Sequence, residues 1–172
     1  MISVLVIGKN TYDRNIDIAL TARAFGASEI IFASNKNSKL LRYIKRLNSR
    51  WGSKFEVKYI NNWKSFINSM RTYKIIYLTK YGQPLDKIGN LIRNYKNLLI
   101  VVSSEEVNKV LLNNSDFNIN ITTQPHCEAS AIAIFLHHFY EGRELAMHFE
   151  NAKYKIIPSE RGIKIEELNK KR

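Results

Sequence analysis

Short apolar runs alternate with amphipathic segments along most of the chain, and this alternation limits the possible folds more than any other feature. The amphipathic segments have the spacing of surface helices. Strands that alternate with helices favour a parallel sheet covered on both faces. The sequence therefore predicts an α/β fold, with strands at residues 2–7, 30–33, 55–60, 74–79 and 98–102.

Helices are expected between these strands. The second one has the clearest pattern, because Leu40, Ile44 and Leu47 recur at helical spacing and basic residues occupy the opposite side. Residues 8–15 have the composition of a polar loop, and residues 81–84 that of a turn. The predicted helices span residues 16–25, closed by Gly26, then 40–51, 63–70, 85–92 and 127–140.

The region from residue 143 onward has a different pattern. Strand-like pieces at residues 155–157 and 163–165 are separated by Pro158 and Gly162, which predicts a terminal β-hairpin. Neither a repeat nor a linker interrupts the chain. We expect one domain over residues 1–172, with an α/β body at 1–142 and a hairpin with a basic tail at 143–172.

The charge balance points to a polyanionic partner. The net charge is +12 and the isoelectric point is about 9.8. Nucleic acid is the expected partner, since neutralising phosphates releases counterions and adds affinity. A generally basic proteome would also raise the net charge, but it would scatter the cations. Here they cluster at Lys36, Lys39, Arg42, Lys45, Arg46 and Arg50, and again at Lys170, Lys171 and Arg172.

Several classes are excluded by composition. The single cysteine, Cys127, excludes an internal disulfide and a cysteine-based zinc cluster. His126, His137 and His138 lack a surrounding carboxylate pattern, so no metal is expected. No apolar run has the length of a bilayer span, and the N-terminus lacks a signal-peptide pattern. We therefore expect a cytoplasmic protein without a membrane partner.

Three predicted loops carry polar residues at strand ends, where open α/β sheets bind their ligands. They span residues 78–82, 103–107 and 122–128. The last one leads into a helix rich in small residues, which could form one wall of a cofactor pocket. An ordinary buried helix that begins near a proline would give the same pattern. A glycine-rich dinucleotide fingerprint is absent, because the loop after the first strand contains only Gly8.

Specific motifs resemble a known family. They are ALTARAFGA at residues 19–27, Trp51 with Gly52, LTKYG at 78–82, QPHCEASAIA at 124–133 and KIIPSERG at 155–162. Together, and in this order, they make the chain similar to the archaeal tRNA ribose 2′-O-methyltransferases that modify cytidine 56, which belong to the SPOUT class.

The resemblance implies an α/β domain with a deep C-terminal trefoil knot, S-adenosylmethionine as cofactor, a homodimer, and the TΨC arm at the tRNA elbow as substrate. It also assigns cofactor contacts by position. Leu78 matches a cofactor-contacting leucine, and two loops match cofactor loops. The first comprises Ser103, Ser104, Glu105, Glu106 and Val107; the second comprises Thr122, Thr123, Gln124, Pro125, His126, Cys127, Glu128 and Ala129.

The chain departs from the family pattern at three places. The first motif is shortened and keeps Asp13 and Arg14 from its charged set, SSEEV replaces GAEKV, and Thr122 with Thr123 replaces a glycine and an asparagine. The β-branched threonines are expected to crowd the pocket. These changes leave open a non-catalytic or weakly active RNA-binding member of the fold, or a methyltransferase that acts at another RNA position.

Ribose methylation needs an aligned and activated 2′-hydroxyl. In related enzymes an arginine near the first motif is thought to serve this purpose, so Arg14 is the first catalytic candidate and Arg23 the second. Arg14 could instead contact only phosphate, and Arg23 could be structural. No covalent intermediate is required, so we expect Cys127 to pack as a small buried residue. His126 and Glu128 are expected to hold the loop and the helix N-terminus.

Overall fold

Six parallel strands form the central sheet, in the order β3-β2-β1-β5-β4-β6. The computed structural model describes residues 1–104 and 108–168. The strands are β1 Ile2–Ile7, β2 Glu29–Ala33, β3 Glu56–Tyr59, β4 Lys74–Pro84, β5 Leu98–Ser103 and β6 Phe117–Asn120. The predicted parallel sheet is confirmed.

Helices cover both faces of this sheet, as predicted. They are α1 Tyr12–Ala24, α2 Ser38–Trp51, α3 Trp63–Ser69, α4 Leu85–Ile92, α5 Lys109–Asn114 and α6 Glu128–Tyr140. Apolar side chains of α1, α2, α4 and α6 share one core, and those of α3 and α5 share the other. A 3₁₀ helix at Arg143–Ala146 follows α6.

The first strand shows why the sheet lies in the middle. Successive side chains point to opposite faces of a strand. Val4 and Val6 therefore enter the core beneath α1 and α6, while Leu5 and Ile7 enter the opposite core. Every residue of β1 is buried, which explains its largely apolar sequence; the one polar residue, Ser3, donates a hydrogen bond to Glu29.

Helix α1 begins earlier than its apolar pattern indicates. The prediction of a polar loop at residues 8–15 is wrong from Tyr12 onward. Thr11 caps the helix, and its hydroxyl accepts a hydrogen bond from the backbone N–H of Arg14 at 3.3 Å. Asp13 and Arg14 are exposed in the first turn, so this part of the helix carries little apolar periodicity.

Strand β4 is longer than predicted, and the turn expected at residues 81–84 is part of it. The pairing with β6 shifts, so that both Leu78 and Gln83 pair with Ile119. The chain bulges outward between them and then returns to the sheet. Gly82 lies against the backbone of Asn118, where a Cβ would clash. The glycine therefore serves a close backbone contact instead of a turn.

The segment after the body forms the predicted antiparallel hairpin, from β7 Tyr154–Ile156 and β8 Ile165–Glu167. Helix α5, strand β6 and the 3₁₀ helix are additions to the elements predicted from the sequence. The trefoil knot and the division of the domain after residue 142 stay predictions. The basic tail at residues 170–172 lies outside the described residues.

Arg23 holds the C-terminal segment against α1 and α2. Its Nε donates to Asn48 Oδ1 at 2.9 Å, and its Nη2 donates to the carbonyl of Gly52. The guanidinium also lies 4.9 Å from the centroid of the Phe149 ring. Burial lowers the pKa of the Arg23 guanidinium. These contacts are those of a structural arginine.

Gly52 offers a test of this packing. It has a φ of +76°, and a Cβ there would approach the carbonyl oxygen of Glu150 to 2.6 Å. Gly162 has a similar φ of +86° but no neighbour within 4 Å, so it is a matched control. We expect Gly162→Ala to lower the free energy of unfolding by about 1 kcal/mol. Gly52→Ala should cost roughly 3 kcal/mol, because overpacking adds to the backbone strain.

Urea unfolding of both variants checks this prediction. Equal losses at the two positions would mean that the contact between Gly52 and the C-terminal segment does not contribute to stability.

Candidate active site

A cavity of about 280 Å³ lies where β5 ends and where β4 starts to bulge after Leu78, beside the first turns of α1 and α6. This is the edge at which open parallel sheets bind ligands. The cavity is lined by Arg14, Tyr77, Leu78, Thr79, Lys80, Val102, Ser103, Ser104, Pro125, His126, Glu128 and Ala131.

Arg14 and Glu128 form a bidentate ion pair at this cavity. Arg14 Nε donates to Glu128 Oε2 at 2.9 Å, and Nη2 lies 2.7 Å from Oε1 and 2.6 Å from Oε2. Glu128 is 7% exposed, whereas the Arg14 side chain is 47% exposed. The buried carboxylate is thus held from one side by a cation that still faces the solvent. Such forked pairs fix orientation as well as charge.

Both partners belong to helix N-termini. Arg14 is in the first turn of α1, and Glu128 is the first residue of α6. Helix N-termini carry partial positive charge, which the Glu128 carboxylate offsets. The Cys127 side chain does not cap α6, so backbone amides of this turn remain suited to bind an anionic group.

Gly8 has no side chain and therefore makes room for Ser104, which belongs to the SSEEV sequence that replaces the family's GAEKV. Gly8 has a φ of +101°, and a Cβ there would clash with the Ser104 hydroxyl. The backbone N–H of Ser104 donates to the carbonyl of Ile7 at 3.0 Å. Ser103 and Ser104 both avoid positive φ values. The serines therefore fit at the cavity without backbone strain.

The loop before α6 contributes only part of its length to the cavity. Pro125 and His126 line it, whereas Thr122, Thr123 and Gln124 are exposed to solvent and do not. His126 Nδ1 lies 3.3 Å from the carbonyl oxygen of Cys127, to which it can donate. The expected crowding of the cavity by the two threonines is thus absent from this structure.

Cys127 is exposed, so the expectation that it packs as a small buried residue is wrong. It precedes the first turn of α6 at the end of an exposed loop, where no core is available. Its Sγ lies 3.0 Å from the Ser130 hydroxyl. That hydrogen bond is the main reason why the pKa of the Cys127 thiol is lowered.

The structure brings together part of the predicted set. The predicted residues that line the cavity are Arg14, Leu78, Ser103, Ser104, Pro125, His126 and Glu128. Those that do not are Arg23, Thr122, Thr123, Gln124, Cys127 and Ala129. Glu105, Glu106 and Val107 lie outside the described residues. The cofactor contacts of all the predicted site residues stay predictions.

Sequence reasoning missed five lining residues, namely Tyr77, Thr79, Lys80, Val102 and Ala131. Thr79 and Lys80 belong to the LTKYG motif and could have been included with Leu78. Tyr77 and Val102 looked like buried strand residues, which they also are. Their positions within apolar strand sequences could not show that they also line a cavity.

The cavity can hold a molecule with both a flat apolar part and a charged part. Leu78, Val102 and Ala131 offer apolar surface, whereas Ser103, Glu128 and the first turn of α6 offer polar groups. This combination fits a nucleoside joined to an amino acid, as in S-adenosylmethionine. Among residues 1–104 and 108–168, no cluster of His, Cys, Asp and Glu could hold a metal ion, and no helix could cross a bilayer.

The family model and the relatives that match this chain indicate the same family. The family model for tRNA ribose 2′-O-methyltransferase, aTrm56, matches residues 51–166. The tRNA (cytidine(56)-2′-O)-methyltransferase of Thermococcus kodakarensis is 38% identical, over 98% of both chains. That of Sulfurisphaera tokodaii is 41% identical, over 86% of this chain and 89% of its own.

Solved structures share the fold at low sequence identity. The A. aeolicus TrmH/SpoU tRNA modifying enzyme has a TM-score of 0.61 and 17% identity, over 84% of this chain and 76% of that one. The SpoU methyltransferase AviRb from Streptomyces viridochromogenes, in complex with AdoMet, has a TM-score of 0.62 and 13% identity. That match covers 82% of this chain but only 57% of AviRb.

The single cysteine allows a direct test of the local electrostatics. A lowered pKa leaves more thiolate near neutral pH, so Cys127 should react with iodoacetamide faster than a free thiol does at the same pH. We expect Ser130→Ala to move the pH midpoint of this reaction upward, because the main stabilising hydrogen bond is lost. Ser49→Ala on the distant α2 is the control. An unchanged midpoint in Ser130→Ala would contradict the assignment.

Proposed function

The chain belongs to the tRNA ribose 2′-O-methyltransferase family aTrm56, and from this membership we propose that it methylates the 2′-hydroxyl of cytidine 56 in the TΨC loop of tRNA. The observation that carries the proposal is the cavity at the end of β5 and the bulge of β4, with the Arg14–Glu128 pair on its rim. The motifs at residues 78–82 and 124–133 contribute seven of its lining residues, and Arg14 lines it from outside these motifs.

We propose S-adenosylmethionine as the methyl donor. When bound, it supplies a methyl group on a sulfonium centre. Leu78, Val102 and Ala131 would hold the purine, and the amides at the first turn of α6 would hold the methionine carboxylate. Ser103 and His126 would add polar contacts at the rim.

Arg14 is the proposed catalytic residue. An arginine guanidinium keeps its proton in proteins, so it suits the role of a charged donor better than that of a base. Its exposed side could hold a phosphate of the RNA or stabilise negative charge as it develops on the 2′ oxygen. Glu128 would set the direction of the guanidinium through the bidentate pair. Arg23 lies outside the cavity and would act through structure.

A cytoplasmic homodimer completes the proposal. The surface of α6 and the segment after it expose apolar side chains, with Ile134 at 50% and Leu145 at 72% exposure. Covering such side chains in a symmetric dimer would remove them from water. The tRNA elbow is the proposed substrate, and the net charge of +12 supports an RNA partner.

The RNA-binding alternative without catalysis is not proposed. It rested on the serine and threonine substitutions in the two loops and on the shortened first motif, whose retained Arg14 lines the cavity. Ser104 is accommodated by Gly8, and Thr122 and Thr123 lie outside the cavity, so no specific contact favours a degraded pocket.

The transfer itself is tested with an unmodified tRNA transcript and S-adenosylmethionine that carries a labelled methyl group. We expect label in 2′-O-methylcytidine at position 56 after nuclease digestion. A matched transcript with 2′-deoxycytidine at that position should receive no label, since the acceptor oxygen is missing. Label on a base, or label retained by the deoxy transcript, would contradict the proposal.

Variants of the ion pair separate catalysis from packing. Arg14→Ala should lower kcat by about 100-fold or more, a loss typical of a missing charged donor, with the Kd for S-adenosylhomocysteine changed by less than about threefold. It should also destabilise the fold by roughly 1–2 kcal/mol, because Glu128 loses its partner. The double variant Arg14→Ala with Glu128→Gln should recover most of this stability.

The double variant is the control for the role of Arg14. It should remain inactive even where its stability approaches that of the wild type. Recovery of transfer would show that Arg14 serves only to neutralise Glu128, and wild-type activity in Arg14→Ala would show that Arg14 is not a catalytic residue.

A further inference from the structure

Helix α2 presents a continuous basic face to solvent. Asn37 caps the helix, and Leu40 and Ile44 are its buried side chains. The basic face of α2 comprises Lys39, Arg42, Lys45, Arg46 and Arg50, all exposed and all opposite the buried side. The chain has no Asp or Glu between residues 30 and 55, so no acidic neighbour along the chain offsets these charges.

Some cations elsewhere in the described chain have carboxylate partners. Lys58, Lys74 and Arg93 each form an ion pair with a carboxylate. In the part of the chain that the structure describes, no salt bridge involves the basic face of α2. Five cations without carboxylates repel one another, so the fold gains nothing from placing them together. An external polyanion would remove this repulsion.

Aromatic rings hold both ends of the basic face. Lys39 Nζ lies 4.3 Å from the centroid of the Tyr12 ring. The Arg50 guanidinium lies 5.3 Å from the rings of both Trp51 and Tyr154. Such contacts restrict a cation without neutralising it. Tyr43, which is 40% exposed, adds an aromatic surface between them.

The basic face is long enough for several phosphates and begins near the cavity. Arg50 follows Lys39 by eleven positions, which corresponds to about 16 Å along a helix. Tyr12, the partner of Lys39, is two residues before Arg14 in α1. A nucleic-acid strand that follows the face would therefore approach the cavity at one end.

We propose that the basic face of α2 binds the phosphate backbone of the RNA substrate outside the catalytic cavity. This assignment rests on the proposed function for the identity of the RNA. RNA is favoured over an anionic membrane, because a helix that lies on a membrane exposes a broad apolar face beside its cations. On α2 the apolar side is buried, and Tyr43 is the exposed large hydrophobic residue.

The test removes charge from this face and from a matched surface. Arg42→Gln with Arg46→Gln is compared with Lys64→Gln with Arg71→Gln, on and just after α3, on the opposite side of the sheet. Both pairs are exposed and both variants lose two positive charges. Binding of labelled tRNA is titrated over a range of KCl concentrations, and methyl transfer is measured at saturating tRNA and cofactor.

We expect the Arg42 and Arg46 variant to bind tRNA roughly tenfold more weakly or worse near physiological salt. The slope of log K against log salt should become shallower by about 2, since each lost phosphate contact removes about 0.9. Its kcat should stay within about twofold of wild type. The Lys64 and Arg71 variant should retain the wild-type slope.

Equal slopes and equal Kd values for the two variants would overturn the proposal. So would a loss of binding to phosphatidylserine vesicles with tRNA affinity unchanged, which would identify a membrane surface instead. A loss of kcat at saturating tRNA would place these arginines in the chemistry. Failure of methyl transfer in the wild type would refute the proposed function, yet the salt dependence of RNA binding would still decide this proposal.

Discussion

The bidentate pair between Arg14 and Glu128 joins two helices whose first turns are 114 residues apart in the chain. Without it, two helix N-termini with like partial charge would face each other across the cavity, beside a buried carboxylate. With it, the carboxylate is satisfied, α6 is held against α1, and one cation remains accessible at the rim. The cavity and its proposed chemistry both depend on this arrangement.

The parallel sheet brings the first turns of α1 and α6 together. All six strands run in one direction, so the loops that follow them gather at one edge. Strands β1 and β5 and the first half of β4 are buried in the centre of the sheet, so the cavity is lined where β5 ends and where β4 starts to bulge. The chain uses close packing there: Gly8 beside Ser104 and Gly82 beside Asn118 leave no room for a side chain. Substrate binding is then proposed for a separate surface, the basic face of α2, so affinity for RNA and chemistry on it could be altered independently.

Strands and helices with a strong local signal were predictable from sequence. Strand β1 and helix α4 match their predicted bounds because their apolar patterns end where the elements do. Structural features that depend on residues distant in the chain were not predictable from the sequence. The extension of β4 through Pro84 requires β6, and the start of α1 at Tyr12 depends on a cap at Thr11. The family resemblance placed Leu78, Ser103 and Glu128 at the cavity. The ion pair between Glu128 and Arg14 could not be predicted, because no spacing in the sequence relates the two residues. Likewise, the exposure of Cys127 follows from its place before α6, and residue type alone suggested burial.

We propose above all that the cavity beside the Arg14–Glu128 pair binds S-adenosylmethionine. The most direct measurement is the change in backbone amide NMR shifts when the cofactor is added to the ¹⁵N-labelled protein. The account predicts that the largest changes occur at Leu78, Ser103 and Ala129, with little change at Lys64 on the opposite side of the sheet. Saturating cofactor that leaves the first three amides unchanged, or that shifts a different region most strongly, would contradict it.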